Sequence, residues 1–130
     1  MKLQFDFAPN FIVADLAAAI AYYRDRLSFD LVVSDGDPPN FAIVQGLGGC
    51  VMLKSLPGVK GTPNHLMHED LAWDAYIQVP DVDSVYDDLN RRGANISRPP
   101  ENAYYGFRDF EVRDLDGYVL CVGKNLNAAS

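Results

Sequence analysis

Cysteine, histidine and basic side chains are scarce in this chain, and each shortage closes off a class of function. The two cysteines among 130 residues, Cys50 and Cys121, each lie inside a strand-like run, so they read as buried thiols in a reducing compartment and not as a disulfide frame. The two histidines fall in His65-Leu66-Met67-His68-Glu69, which matches neither helical metalloprotease order and sits in an irregular stretch, so it reads as a solvated loop. Only 11 Lys and Arg face 18 Asp and Glu, a formal charge of −7, which removes the basic face that nucleic acid requires. No apolar run approaches the roughly 20 residues that span a bilayer, and Met1 to Phe7 is too short and polar for a signal peptide, so the expected place is the cytoplasm. There is no Gly-x-Ser-x-Gly elbow and no glycine-rich phosphate loop before a helix; Gly46-Leu47-Gly48-Gly49 reads as a hairpin turn.

What the chain does have is a near-repeat. Val13, Asp15, Leu16, Ala19, Ile20, Tyr23 and Arg26 recur 66 residues later as Val79, Asp81, Val82, Val85, Tyr86, Leu89 and Arg92. Phe41 to Leu53 reappears, shifted by 68, as Asp109 to Cys121. With 48% hydrophobic residues the chain can bury one ordinary core, so the pattern predicts one domain over 1–130 built from modules at 5–54 and 72–124 joined by a linker at 55–71.

Each module reads strand, helix, then three strands. Phe5 to Val13 is strand-like; Asp15 is placed to cap a helix with Leu16, Ala19, Ile20, Tyr23 and Leu27 at helical spacing. Strands follow at Phe29 to Ser34, Phe41 to Gln45 and Cys50 to Lys54, with Asp35 to Pro39 as a breaker. In the second module Trp73 to Val79 alternates apolar and polar, Asp81 caps a helix, and Gly93 is placed to end it. A strand at Ala94 to Ser97 is expected to stop at a loop opened by Pro99-Pro100, before strands at Phe107 to Arg113 and Tyr118 to Gly123; Leu126 to Ser130 is expected to fray.

The segment Asp15 to Leu27, Asp-Leu-Ala-Ala-Ala-Ile-Ala-Tyr-Tyr-Arg-Asp-Arg-Leu, resembles the first-helix signature of the glyoxalase, bleomycin-resistance and extradiol-dioxygenase (vicinal oxygen chelate) superfamily. Tyr105 to Tyr118 resembles the closing strands of its bleomycin-resistance-like branch, while Ser28 stands where that family usually ends the helix with glycine. The resemblance implies an α+β fold of two βαβββ modules, each a curled mixed sheet or half-barrel with its helix on the convex side and the ligand on the concave one. It also implies dimers with clefts between subunits. Enzymes of the family place metal ligands at the starts of the first and fifth strands and near the middle of the fourth and eighth. By landmark those positions fall here on Ala8, Asp74, Leu53 and Cys121, a set too poor in donors for a hard divalent ion.

Strand parity then predicts the concave face. Asp74 brings Tyr76 and Gln78; Cys121 brings Val119; Leu53 brings Val51; and Phe107, Asp109 and Glu111 are joined by Phe41 and Ile43 through the repeat. Trp73, Tyr104, Tyr105, Asp35 and Asp37 form the rim. The expected ligand-binding set is therefore Phe41, Trp73, Asp74, Tyr76, Gln78, Tyr104, Tyr105, Phe107, Asp109, Glu111 and Cys121, with no metal, cofactor or catalytic residue. The leading reading is a cytoplasmic homodimer that sequesters an aromatic, and in part cationic, small molecule without metal. Two alternatives are a metal-dependent glyoxalase-like lyase, isomerase or dioxygenase, and a metal-free enzyme with Asp74 or Glu111 as general base.

Overall fold

The computed structural model describes residues 5–127. Two four-stranded mixed sheets, each with one helix, are laid down in the order β1 (Asn10–Ile12), α1 (Leu16–Arg26), β2 (Asp30–Gly36), β3 (Pro39–Gly46), β4 (Gly49–Lys54), then β5 (Ala75–Gln78), α2 (Val82–Arg91), β6 (Asn95–Asn102), β7 (Phe107–Arg113) and β8 (Val119–Asn125). The strand orders β1-β4-β3-β2 and β5-β8-β7-β6 match each other. In both sheets the first strand pairs parallel with the last, the other pairs are antiparallel, and neither sheet closes on itself.

The helix starts follow from their caps. Asp15 accepts the Ala18 N–H and Asp81 the Ser84 N–H, each satisfying a donor that the first turn leaves unpaired. Gly93 ends α2 with φ +80, and Ser28 takes the same left-handed conformation after α1, φ +65, at the cost of a Cβ in a crowded region. Helix residues Leu16, Ala19, Tyr23, Val82 and Leu89 pack with alternate strand residues Ala42, Val44, Val51, Leu53, Phe110, Val112, Leu120 and Val122 in one buried cluster.

That cluster is shared by the two modules, and polar bonds stitch its margin. Phe11 stacks on Tyr118 with ring centroids 4.2 Å apart, and the Tyr118 hydroxyl donates to the Ile12 carbonyl. Tyr23 donates to buried Asp114 at 2.8 Å, and Tyr22 donates to the Arg113 carbonyl while accepting the Asn95 N–H.

Several elements depart from the sequence pattern. The strand expected from Phe5 is regular only over Asn10–Ile12, although Met52 N–H still bonds the Pro9 carbonyl. Pro99 and Pro100 do not open a loop: β6 runs through them, because it is an edge strand whose missing N–H groups need not pair, and its register with β7 slips between Arg98 and Glu101. His65 is docked, since its ring Nε2–H donates to the Gly117 carbonyl at 2.9 Å, while Leu66, Met67, His68 and Glu69 are exposed as expected of a solvated loop. Leu126 and Asn127 form a turn, and the rest of the tail expected to fray lies outside the described residues.

The largest correction concerns β4. Its hairpin turns on two residues, Leu47 (φ +54) and Gly48 (φ +86), while the β7–β8 hairpin turns on three, with Gly117 (φ +89) last. The extra residue moves the repeat by one: Asn10 pairs with Met52 as Tyr76 pairs with Cys121. Met52, not Leu53, is therefore the counterpart of Cys121. Leu53 and Val51 point into the core, 0% and 2% exposed, and not to the concave face.

Candidate functional site

On the face of the second sheet turned away from its helix, ladder pairing lines side chains into two rows. Tyr76, Cys121, Glu111 and Arg98 form one row; Gln78, Gly123, Asp109 and Glu101 form the next. Gly123 is the key to the second row. A Cβ there would sit 2.1 Å from the Tyr76 hydroxyl oxygen and 2.7 Å from the Asp109 Cβ, so only glycine lets Tyr76 lean across and donate to Asp109 at 2.9 Å.

Asp109 is 0% exposed and serves as the hub. Its Oδ2 accepts the hydroxyls of Tyr76 and Tyr105, and its Oδ1 accepts Nη2 of Arg98. Burial opposes its charge, but these bonds outweigh burial and hold its pKa below the ordinary carboxylate range. The same environment raises both phenols well above the usual tyrosine value, chiefly through desolvation and then through the bonded carboxylate. Cys121, fully buried beside Asp109, is raised for the same reasons, which leaves it a thiol and a poor nucleophile or metal ligand.

Above this floor stands a cluster of rings. A turn closed by the Gly106 N–H to the Ala103 carbonyl, with Gly106 at φ +89, throws Tyr104 and Tyr105 over the sheet. Trp73 lies edge-on to Tyr76 at 5.4 Å, Tyr76 to Phe107 at 5.6 Å, and Tyr104 to Tyr105 at 5.3 Å. Trp73 is anchored from the linker, because Asn64 Nδ2 donates to its carbonyl. Trp73, Tyr76, Gln78, Tyr104, Tyr105 and Phe107 together line a cavity of about 540 Å³, the scale of small-molecule sites.

Six of the residues expected from the sequence thus line one cavity, with Asp109, Glu111 and Cys121 beneath them. Two others stand apart. Asp74 spends its carboxylate on structure, accepting the backbone N–H of Asn64 at 2.9 Å and of Val119 at 2.8 Å. Phe41 lies on β3 of the other sheet and is not among the cavity's lining residues, and the rim acids Asp35 and Asp37 lie there too. Arg98 is the residue that sequence reasoning misses. It ion-pairs with Asp109, Glu111 and Glu101, so much of the acidity expected on this face is already compensated.

The donor set does not fit a hard divalent metal. Ala8 and Met52 offer no hard donor, Asp74 is engaged by two N–H groups, and Cys121 is a buried thiol. Among the described residues no group of three or more His, Cys, Asp and Glu converges.

The family model described as the Glyoxalase/Bleomycin resistance protein/Dioxygenase superfamily matches residues 7–122. Among solved structures, TioX from Micromonospora sp. ML1 superposes with a TM-score of 0.72 at 20% identity, covering 95% of this chain and 100% of its own. A bleomycin-binding protein complexed with bleomycin gives 0.72 at 21%, covering 94% and 99%. A bleomycin resistance determinant encoded on transposon Tn5 gives 0.71 at 20%, covering 94% and 98%. At these identities the likeness is one of fold. No curated protein matches the chain.

Proposed function

From the chain's membership of the glyoxalase/bleomycin resistance protein/dioxygenase superfamily, we propose that it binds and holds a small molecule bearing a flat aromatic ring, without metal and without transforming it. The observation that carries this reading is the ring cluster of Trp73, Tyr76, Tyr104, Tyr105 and Phe107 around a cavity of about 540 Å³. Such walls favour flat rings and cations, and one arginine against three carboxylates leaves the floor acidic on balance. Structural kinship with a protein crystallised with bleomycin supports a small-molecule role for the fold. Against the two alternatives weigh the donor-poor metal positions, the backbone N–H groups held by Asp74 and the pairing of Glu111 with Arg98.

The protein acts as a homodimer in the cytoplasm, a second copy covering the apolar surface left exposed at Phe7 (90%) and Tyr104 (101%). The test is calorimetric titration with bleomycin and with basic bicyclic aromatics, repeated on Trp73→Leu. Saturable binding is expected, weakened roughly threefold to tenfold or more in the variant, since an aromatic partner contributes about 0.5–1.5 kcal/mol beyond its area. Absence of heat with every compound at millimolar concentration refutes the reading.

A further inference from the structure

Building on the aromatic-cleft reading, we propose that the cleft selects, among flat aromatic molecules, those whose substituent is a hydrogen-bond donor such as a primary ammonium or amidinium, because the hydroxyls at its floor can only accept. Each phenol carries a single proton. Those of Tyr76 and Tyr105 both point to Oδ2 of Asp109, a carboxylate with no exposed surface, so each hydroxyl offers a ligand its lone pairs and nothing else. Both phenols keep their protons at neutral pH, raised by burial and by Asp109 itself.

Arg98, the cation of the floor, is held by acceptors on all three of its nitrogens. Arg98 commits Nε to Glu111, Nη1 to the Asp109 carbonyl and to Glu101, and Nη2 to the Asp109 carboxylate. The Cys121 thiol is fully buried against Asp109. At the rim Gln78 can serve in either sense, and the Trp73 indole N–H and the hydroxyl of fully exposed Tyr104 are further donors. Charge points the same way, since Arg98 answers three carboxylates. A carboxylate or carbonyl entering the floor meets oxygen lone pairs; an N–H meets acceptors already oriented. Arg98 and Gly123 act as positioning residues, the first keeping Asp109 charged and the second leaving room for Tyr76 to reach it.

Two probes of equal ring and charge isolate the effect: (2-naphthylmethyl)ammonium and its N,N,N-trimethyl analogue, titrated calorimetrically into the full chain. The primary ammonium is expected to bind about tenfold tighter, the scale of one charge-assisted hydrogen bond. Tyr76→Phe and Tyr105→Phe keep their rings, and each is expected to reduce that ratio to about twofold or less. Two separate variants guard against one misfolding, which circular dichroism checks. Equal binding of the probes, tighter binding of the trimethyl form as in an aromatic cage, or a tenfold ratio that survives both variants overturns the proposal while leaving the aromatic cleft standing. Failure of both probes to bind removes the cleft reading and this inference with it.

Discussion

Replacing Asp114 by asparagine should abolish a fall in stability that the wild-type protein shows as pH rises from about 4 to 6. Asp114 is 3% exposed, accepts the N–H groups of Asp116 and Tyr118 through Oδ1, and receives the Tyr23 hydroxyl from the other module on Oδ2. Desolvation is the largest influence on it, and despite those bonds its pKa is pushed up from 3.8 to about 6. A folded pKa above the unfolded one means that the native state binds the proton more tightly. The contribution is therefore complete below about pH 4 and lost as pH rises through about 6. Two pKa units correspond to about 3 kcal/mol. Asp109 works in the other direction but outside this window, because its pKa lies below 3.8 and its contribution is lost only in stronger acid. Asparagine preserves the shape, keeps an oxygen for the two N–H groups and cannot ionise. Urea unfolding at half-unit pH steps from 4 to 7.5 measures the difference between the two proteins. A difference that stays constant across the range refutes the argument that a desolvated carboxylate joins the modules.

Gly123→Ala should destabilise the fold by about 1–3 kcal/mol in urea and abolish aromatic binding, because the new methyl occupies the place of the Tyr76 hydroxyl. Ser28→Gly should raise stability by about 0.5–1 kcal/mol, read as a shifted urea midpoint at unchanged slope, by relieving φ +65. Arg113→Met should be neutral or stabilising by up to about 1 kcal/mol, since the Arg113 Nε is buried with no acceptor among the described residues, and a clear loss of stability would contradict that.

The helix caps, the apolar helix faces and the elements that make up each module are legible in the sequence because each depends on residues a few positions apart: Asp15 on Ala18, Asp81 on Ser84, Tyr23 on Leu16 and Ala19. Register is not local, and that is where the pattern misleads. Aligning Gly49 with Gly117 equates a strand residue with a turn residue; the true counterpart of Gly117 is Gly48, since both hold a positive φ at the end of their turns. That single-residue error reverses β4, sending Leu53 and Val51 to the core, yet leaves the second sheet untouched because its landmarks lie within its own strands. Strand parity therefore puts Tyr76, Gln78 and Phe107 on one face, while Trp73, Tyr104 and Tyr105 reach the same cavity from the segments that flank the strands.

Arg98 is missed for the opposite one. Next to Pro99-Pro100 it reads as the end of a strand, and only the cross-strand pairing of Arg98 with Glu111 places a cation among the carboxylates. Its consequence is chemical. Without Arg98 the face would be three acids repelling one another and drawing any cation. With it Asp109 stays ionised at the centre, both tyrosine protons turn inward, and selectivity is decided by which lone pairs remain for the ligand as well as by net charge.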